Sequence, residues 1–579
     1  MKAELIPGYK DLFGDAGISY DDILKNTSSD TVIMLLSGLN AELNTEETYI
    51  ANQKRIIEIV TFKYTPEQIS LLEDAFSNYN VKAREYSGTL FNRRYLLSML
   101  IKELKRDNKN VINENDPIHE YNFFLAYLIT IDEVNEKDNE LIDVAKRYDF
   151  KTMPAMPLIW ASNISQYEFN DMSNPAFELF KLLSFCKYSY TNHRGFLKEL
   201  VNKYGFTNIS QFIASFNQVL KAILTYQPNE FLRKLYFITP EPGIKHIHLE
   251  SLCINNVKNK NNLSLADLRK YPLYKTNRRG FMVIDENMFI KKIYRGPLFE
   301  LHKETSMCQE VIFDDYKNEV SKKCFEDVLF RGIVNQLVQK EKSVIHFDNN
   351  SKIGEPDLYF RYGNDVFLIE FKDYLFPDTI IGGTNFGAYR KYIDERFLIS
   401  NKGRNKGVSQ LANCISNLLN KKYEFDLELN RKISDSEKIE IHPIICHTDF
   451  MFSLPGLNEH LNRLFAKQLK ERKCTYLGIN SITLLNLEVL FDLALRGGNF
   501  INLLSFINRY FNTMETIREK ASISLLVDDF IHSTASFDEV YKTKFRNEMI
   551  DKGELTDEIR VDRMKNIIGI SDEQINEVL

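Results

Sequence analysis

The sequence predicts a mixed α/β protein of several domains, and three observations predict it. Apolar residues recur at helical spacing through roughly the first 240 positions. Around Glu241-Pro242-Gly243 the texture shifts to shorter, β-rich segments. Residues 344–372 then read as three short strands, with a helix and a further strand beyond them.

The N-terminal region, 1–240, is mainly helical on this reading, with apolar runs at Asn122–Asp132 and Phe177–Cys186. Residues 241–300 form a β-rich connecting segment that includes Phe281–Ile284 and Phe289–Tyr294. Helix returns over about 300–345. After the strands come a loop-rich insertion (373–406), a helix (408–420) and a strand (439–446). The last stretch, 516–579, reads as helical with a break at His532-Ser533-Thr534.

Size and composition are those of a globular protein. The chain has 579 residues, too many for one ordinary domain. Hydrophobic residues make up 44% and charged residues 27%, enough to build sizeable cores. No apolar h-region opens the chain and no stretch suits a membrane span, so the expected address is the cytoplasm, with no membrane partner. The seven cysteines (186, 253, 308, 324, 414, 446 and 474) are scattered without a CxxC pair and read as free thiols rather than a zinc site. A net charge of −6 does not advertise a polyanion partner, but phosphate contacts depend on local patches.

The chemistry-bearing stretch runs from Gly354 to Lys372. Two β-rich runs flank Gly363-Asn364, a two-residue hairpin turn. That turn sets Tyr362 opposite Asp365 and, counting back, Asp357 opposite Glu370. Side chains alternate faces along a strand. One face then holds Leu358, Phe360, Tyr362, Phe367, Ile369 and Phe371, an apolar core face. The other holds Asp357, Tyr359, Arg361, Val366, Leu368, Glu370 and Lys372, with charge gathered at one end. Two opposed carboxylates repel each other. A hard divalent cation such as Mg²⁺ resolves that repulsion. Lys372 shares the face, where its ammonium orients a water or stabilises phosphate charge, and burial beside a metal would lower its pKa toward that of a base. The competing reading is an ordinary exposed Glu–Lys pair on a half-solvated hairpin.

Pro356-Asp357 followed by Glu370-Phe371-Lys372 resembles the signature of the PD-(D/E)XK nuclease superfamily. The resemblance implies a restriction-endonuclease-like core over about 301–515, a small mixed sheet flanked by helices. It implies Mg²⁺ or Mn²⁺ held by Asp357 and Glu370, with the backbone carbonyl of Phe371 in the metal shell and Lys372 as the catalytic lysine. Such nucleases carry an acid on a helix before the first core strand. Here Glu326 borders the buried stripe Phe325, Leu329, Ile333 and Leu337. RecB-like members carry a Gln on the helix after the lysine strand, which Gln410 matches, while Cys414 stands where a Tyr often follows.

Two basic segments are candidates for holding a polymer. Between Arg390 and Lys406 stand six basic residues (Arg390, Lys391, Arg396, Lys402, Arg404 and Lys406) against two acids, in what reads as a flexible loop beside the catalytic strand. Residues 269–279 add five basic residues and two tyrosines, Tyr271 and Tyr274, suited to stacking on bases. His442 and His447 read as packed or edge residues rather than ligands, and His246-x-His248 lacks a nearby third ligand. The expectation is a metal-dependent nuclease acting on DNA, resembling effectors of restriction or phage defence. The helical 1–240 region would serve protein interaction or oligomerisation. An RNA-cleaving enzyme with the same site, and a non-catalytic nucleic-acid-binding or scaffold protein, are the alternatives.

Overall fold

The computed structural model describes residues 6–15, 17–43, 49–83, 90–109, 116–145, 174–208, 210–212, 214, 237–238, 247–276, 280–338, 343–348, 354–377, 380, 385–521, 533–548 and 557–569. The protein mixes helix and sheet. Its contacts divide it into two units whose segments alternate along the chain: one comprises 4–140, 189–312 and 573–579, the other 1–3, 141–188 and 313–572. No helix among the described residues is long and apolar enough to cross a membrane.

The first unit is mainly helical. Its long helices include Ser29–Leu43, Arg93–Arg106 and Glu286–Lys303. A small antiparallel sheet orders β1 (Phe237–Ile238), β3 (Phe281–Val283) and β2 (Leu273–Lys275), with β3 central. The strand expected at Phe289–Tyr294 is instead part of the helix Glu286–Lys303. Short apolar runs are ambiguous between strand and helix. Asp285 decides this one, accepting the Met288 N–H at 2.7 Å as an N-cap. The same buried carboxylate takes two bonds from Arg93, at 2.9 and 2.6 Å, and one from Asn40 at 2.5 Å.

The second unit is built on a five-stranded mixed sheet. Its order is β4 (Ser343–Phe347), β5 (Leu358–Tyr362), β6 (Asp365–Lys372), β7 (Glu440–His447) and β8 (Thr483–Asn486). β4–β5 and β5–β6 are antiparallel, while β6–β7 and β7–β8 are parallel. The β5–β6 register is the expected one, with Tyr362 opposite Asp365 and Leu358 opposite Ile369. Gly363 alone of the turn pair has positive φ (61°), the pattern of a type II′ hairpin. Pro443 lies inside β7, which is flanked by β6 and β8. Its missing N–H coincides with a gap in pairing, between the Ile441↔Ile479 bridge and the β8 ladder that starts at Ile444↔Thr483.

Both faces of this sheet are covered, as expected of strands that join parallel neighbours. On one face Phe360 and Phe367 pack against Phe500 of the helix Phe500–Ala521, with ring centroids 4.2 and 5.4 Å apart, and Phe371 stacks on Phe330 at 5.0 Å. On the other, Tyr359, Val366 and Leu368 join a core with the helices Phe386–Phe397, Gly407–Leu419 and Leu457–Glu471. Fully burying each such side chain contributes about 1.5–3 kcal/mol. The second face is therefore interior rather than half-solvated. Within the expected loop-rich insertion, the described residues 385–406 include a helix, Phe386–Phe397. Asn385 caps the helix Phe386–Phe397 through the Ala388 N–H at 3.0 Å, where a flexible loop was expected.

Candidate active site

Two strand ends build the site. Asp357 directly precedes β5, and Glu370 and Lys372 close β6. The Asp357 carboxylate is anchored by the Phe371 backbone N–H, 2.7 Å from Oδ2. Lys372 Nζ lies 2.6 Å from Glu370 Oε2 and 3.4 Å from Asp357 Oδ2, so one ammonium links both acids. Glu370 is completely buried and Lys372 is 8% exposed. An exposed, weakly coupled surface pair is excluded by that burial.

The second oxygen of Glu370, Oε1, is buried with no hydrogen-bond partner. An unsatisfied buried acceptor costs roughly 1–3 kcal/mol, and more for a charged group. Burial, and then the charge of Asp357, push the Glu370 carboxyl up to about 8 against the opposing pull of Lys372. The lowering expected of Lys372 was tied to a bound metal; beside the two acids alone it moves upward. Burial acts to lower it, but Asp357 and Glu370 outweigh burial and hold it well above its ordinary range. Between the two acids alone, Lys372 favours its charged form.

Glu326 comes to the same region from the segment Val320–Phe330, which is wound as a π-helix rather than the expected α-helix. Such windings often mark functional sites. The expected stripe of Phe325, Leu329, Ile333 and Leu337 is buried. Burial and the charge of Asp357 raise the Glu326 carboxyl above its ordinary range. Lys322, one turn earlier, pairs with Glu326. Burial acts to lower Lys322, but Glu326, Asp327 and Asp357 together hold it raised. The sequence reading missed Lys322, although its i,i+4 spacing from Glu326 was a visible signal.

The helix Gly407–Leu419 lies over the charged face. Gln410 on it has a buried Oε1 without a partner, and four residues on the Cys414 thiol is pushed up by burial and by the charge of Glu370. A phenol is present beside Cys414 after all. The Tyr423 hydroxyl donates to the Cys414 carbonyl at 3.1 Å and to that of Gly354 at 2.8 Å.

The basic residues divide. Arg390 and Lys391 sit on the helix Phe386–Phe397, 3.7 and 3.9 Å from the acids Asp394 and Glu395. Lys402 and Arg404 are exposed, and Lys406 is half-buried at the start of the next helix. In the helical unit Tyr274 is buried and its hydroxyl donates to Asp30 at 2.5 Å, while Lys275 pairs with Glu250 at 2.9 Å. Tyr274 therefore offers no face for stacking, and Arg278 and Arg279 lie outside the described residues. His442 is a packed edge residue, 3.0 Å from Asp365. His447 is fully buried, with Nδ1 3.0 Å from the Asp449 carbonyl. His248 stands on the short helix Ile247–Ser251, not a strand, and His246 lies outside the described residues. All seven cysteines are free thiols, with Cys308 exposed.

Among the described residues no three His, Cys, Asp or Glu side chains already stand at metal-ligand spacing. Mg²⁺ asks for less than that, because it commonly keeps several waters and binds through one or two carboxylates. A buried orphan oxygen on Glu370, facing a second carboxylate, fits such an ion.

Glu370 also gives a pH signature. Its folded pKa of about 8 lies above the unfolded value of about 4.3. Its stabilising share is therefore full below about pH 4 and is lost as pH rises through about 8. In chelator, melting temperatures of wild type and Glu370→Gln, compared from pH 5 to 9, are expected to diverge in favour of the variant as pH rises. A constant difference would show that Glu370 does not hold its proton.

No protein-family model matches the chain, and neither the curated proteins nor the solved structures give a match.

Proposed function

We propose that the unit containing the five-stranded sheet is a metal-dependent nuclease that hydrolyses phosphodiester bonds, with DNA as its expected substrate. One observation carries this reading: Glu370, fully buried with an orphan oxygen, shares the Lys372 ammonium with Asp357 at the ends of adjacent antiparallel strands. An ion pair kept only for stability has no use for two crowded acids and an unmet acceptor, since a hydrophobic replacement is often as stable.

Asp357 and Glu370 would hold Mg²⁺ or Mn²⁺, with Glu326 supporting the ion or its water shell. When bound, the ion would supply Lewis-acid stabilisation and a more acidic water. Phe371 fixes Asp357 through its N–H, and its ring, stacked on Phe330, locks the strand end. Lys372 stays charged and sits where negative charge builds on the phosphate oxygens. In the reaction a water oxygen forms the new bond to phosphorus, the bond to the leaving sugar oxygen breaks, and that oxygen takes up a proton. Gln410 presents an amide from the covering helix.

The test is hydrolysis of matched single- and double-stranded DNA and RNA with Mg²⁺ or Mn²⁺. Cleavage that is abolished by chelator is expected. No cleavage of any of these substrates with either ion overturns the proposal.

A further inference from the structure

Arg396 was only one charge in a basic stretch, yet the structure treats it differently from its neighbours. Its guanidinium lies over two tyrosine rings, 5.3 Å from the centroid of Tyr374 and 5.2 Å from that of Tyr392. Tyr374 follows Lys372 by two residues, and Tyr392 lies one helical turn before Arg396. The Tyr392 hydroxyl is tied in turn to the Leu375 carbonyl. The arginine is thus fixed to the strand end that carries the acids. Among the described residues it makes no ion pair, and neither do Arg404 and Lys406, although the charge of Glu370 reaches Lys406.

The loop bearing the other two cations is pinned as well. Ile399 bridges to Asn405, the Ser400 N–H donates to the Arg404 carbonyl at 2.8 Å, and the Lys406 N–H donates to that of Leu398 at 2.9 Å. Lys406 is crowded: burial first, then repulsion from Lys372, Arg396 and Arg404, depress its pKa. Four cations therefore share one neighbourhood, and the nearest carboxylates already answer to Lys372. Positive charge gathered on rigid supports in excess of the local acids is the footprint of a polyanion.

The burial of the site's side chains narrows the choice of polyanion. The side chains of Glu370, Lys372, Glu326 and Asp357 are 0, 9, 13 and 20% exposed. A duplex carries its phosphates on a stiff cylinder backed by a second strand. A single strand has free backbone torsions to bring a phosphate close to side chains buried this far. Arginine and tyrosine faces beside a basic track are also the usual means of holding unpaired bases.

We propose that Arg396, Arg404 and Lys406 form a seat for single-stranded nucleic acid, with the Arg396–Tyr374–Tyr392 stack gripping the backbone beside Lys372. This rests on the nuclease reading of the site and names its substrate class. Arg396 is a binding residue here, distinct from Arg390 and Lys391, whose charges are met by acids on their own helix.

Fluorescence anisotropy of the wild-type protein in chelator, where nothing is cut, reads the seat directly. The probes are labelled oligothymidine, oligouridine and the oligothymidine–oligoadenine duplex. One of the single strands is expected to bind at least about tenfold more tightly than the duplex. Arg396→Ala is expected to lose roughly tenfold or more of that affinity, the scale of one aromatic or arginine contact to a base. Arg396→Lys should recover only part of it, because lysine cannot stack, and Arg390→Ala should stay within about twofold. Duplex binding as tight as single-strand binding, or an Arg396→Ala affinity within about twofold of wild type, overturns the seat. Cleavage with Mg²⁺, measured in parallel, separates the two ideas. Arg396-dependent binding without cleavage retains the seat and sinks the hydrolytic reading. Cleavage with an unchanged KM in Arg396→Ala does the reverse.

Discussion

Lys372→Ala protein is expected to hydrolyse its substrate at least about a hundredfold more slowly than wild type while remaining folded. Removing one preorganised charge aimed at a developing oxyanion typically costs about 10²–10³ in rate. On the proposed reading Lys372 would be such a charge; it is held 2.6 Å from Glu370, and two acids hold its pKa up. Its loss also leaves Asp357 and Glu370 without the cation that offsets their repulsion. Asp357→Asn is expected to be at least as severe, since it removes a carboxylate that would hold the ion and weakens the bond that anchors it to Phe371. The check is the initial cleavage rate at saturating Mg²⁺, with melting curves to confirm folding. Rates for both variants within about threefold of wild type would remove these residues from the chemistry.

The second large effect concerns stability. Asp426 is buried and accepts from Arg361 Nε at 2.6 Å, Arg361 Nη2 at 3.0 Å and the Tyr359 hydroxyl at 2.6 Å. It also caps the helix Leu427–Ser434 through the Leu429 N–H at 3.0 Å. Arg361 is 3% exposed, so its charge depends on this partner. Breaking a buried pair by removing one member costs about 3–5 kcal/mol, and a lost cap adds about 1. Asp426→Ala is therefore expected to lower the melting temperature of the sheet-containing unit by roughly 10 °C. Glu428→Ala is the control. Glu428 also touches Arg361, at 2.9 Å, but its side chain is 54% exposed, and such pairs contribute about 0–1 kcal/mol. Calorimetry that resolves the unit's own transition decides between them. Equal losses in the two variants would mean that Asp426 is not the partner the buried arginine depends on.

What the sequence made legible was local. Gly363-Asn364 set the hairpin register from Tyr362↔Asp365 to Leu358↔Ile369, because a two-residue turn leaves no freedom in pairing, and Lys372 reaches both Asp357 and Glu370 just beyond that ladder. Glu326 was legible from its place beside a helical stripe. What escaped depends on contacts between distant segments. The second face of β5 and β6 left a half-exposed hairpin open as the competing reading, yet Tyr359, Arg361 and Glu370 are interior, covered or paired by residues some 40 to 100 positions downstream. The lysine's raised pKa comes from the charges of Asp357 and Glu370, which outweigh burial, and that balance could not be read from spacing. Phe289–Tyr294 was apolar in a way both strand and helix accept, and Asp285 settled it. Arg396 looked like any basic loop residue because its partners Tyr374 and Tyr392 come together only when the segment folds back on the strand end.

The account's central claim is that Asp357 and Glu370 form one cation site. Calorimetric titration of Mn²⁺ into the metal-free protein tests it without reference to any substrate. Saturable binding by wild type, lost in Asp357→Asn and in Glu370→Gln but kept in the exposed-site control Glu437→Gln, is the predicted result. Absence of binding by wild type, or equal binding by Asp357→Asn, would contradict it.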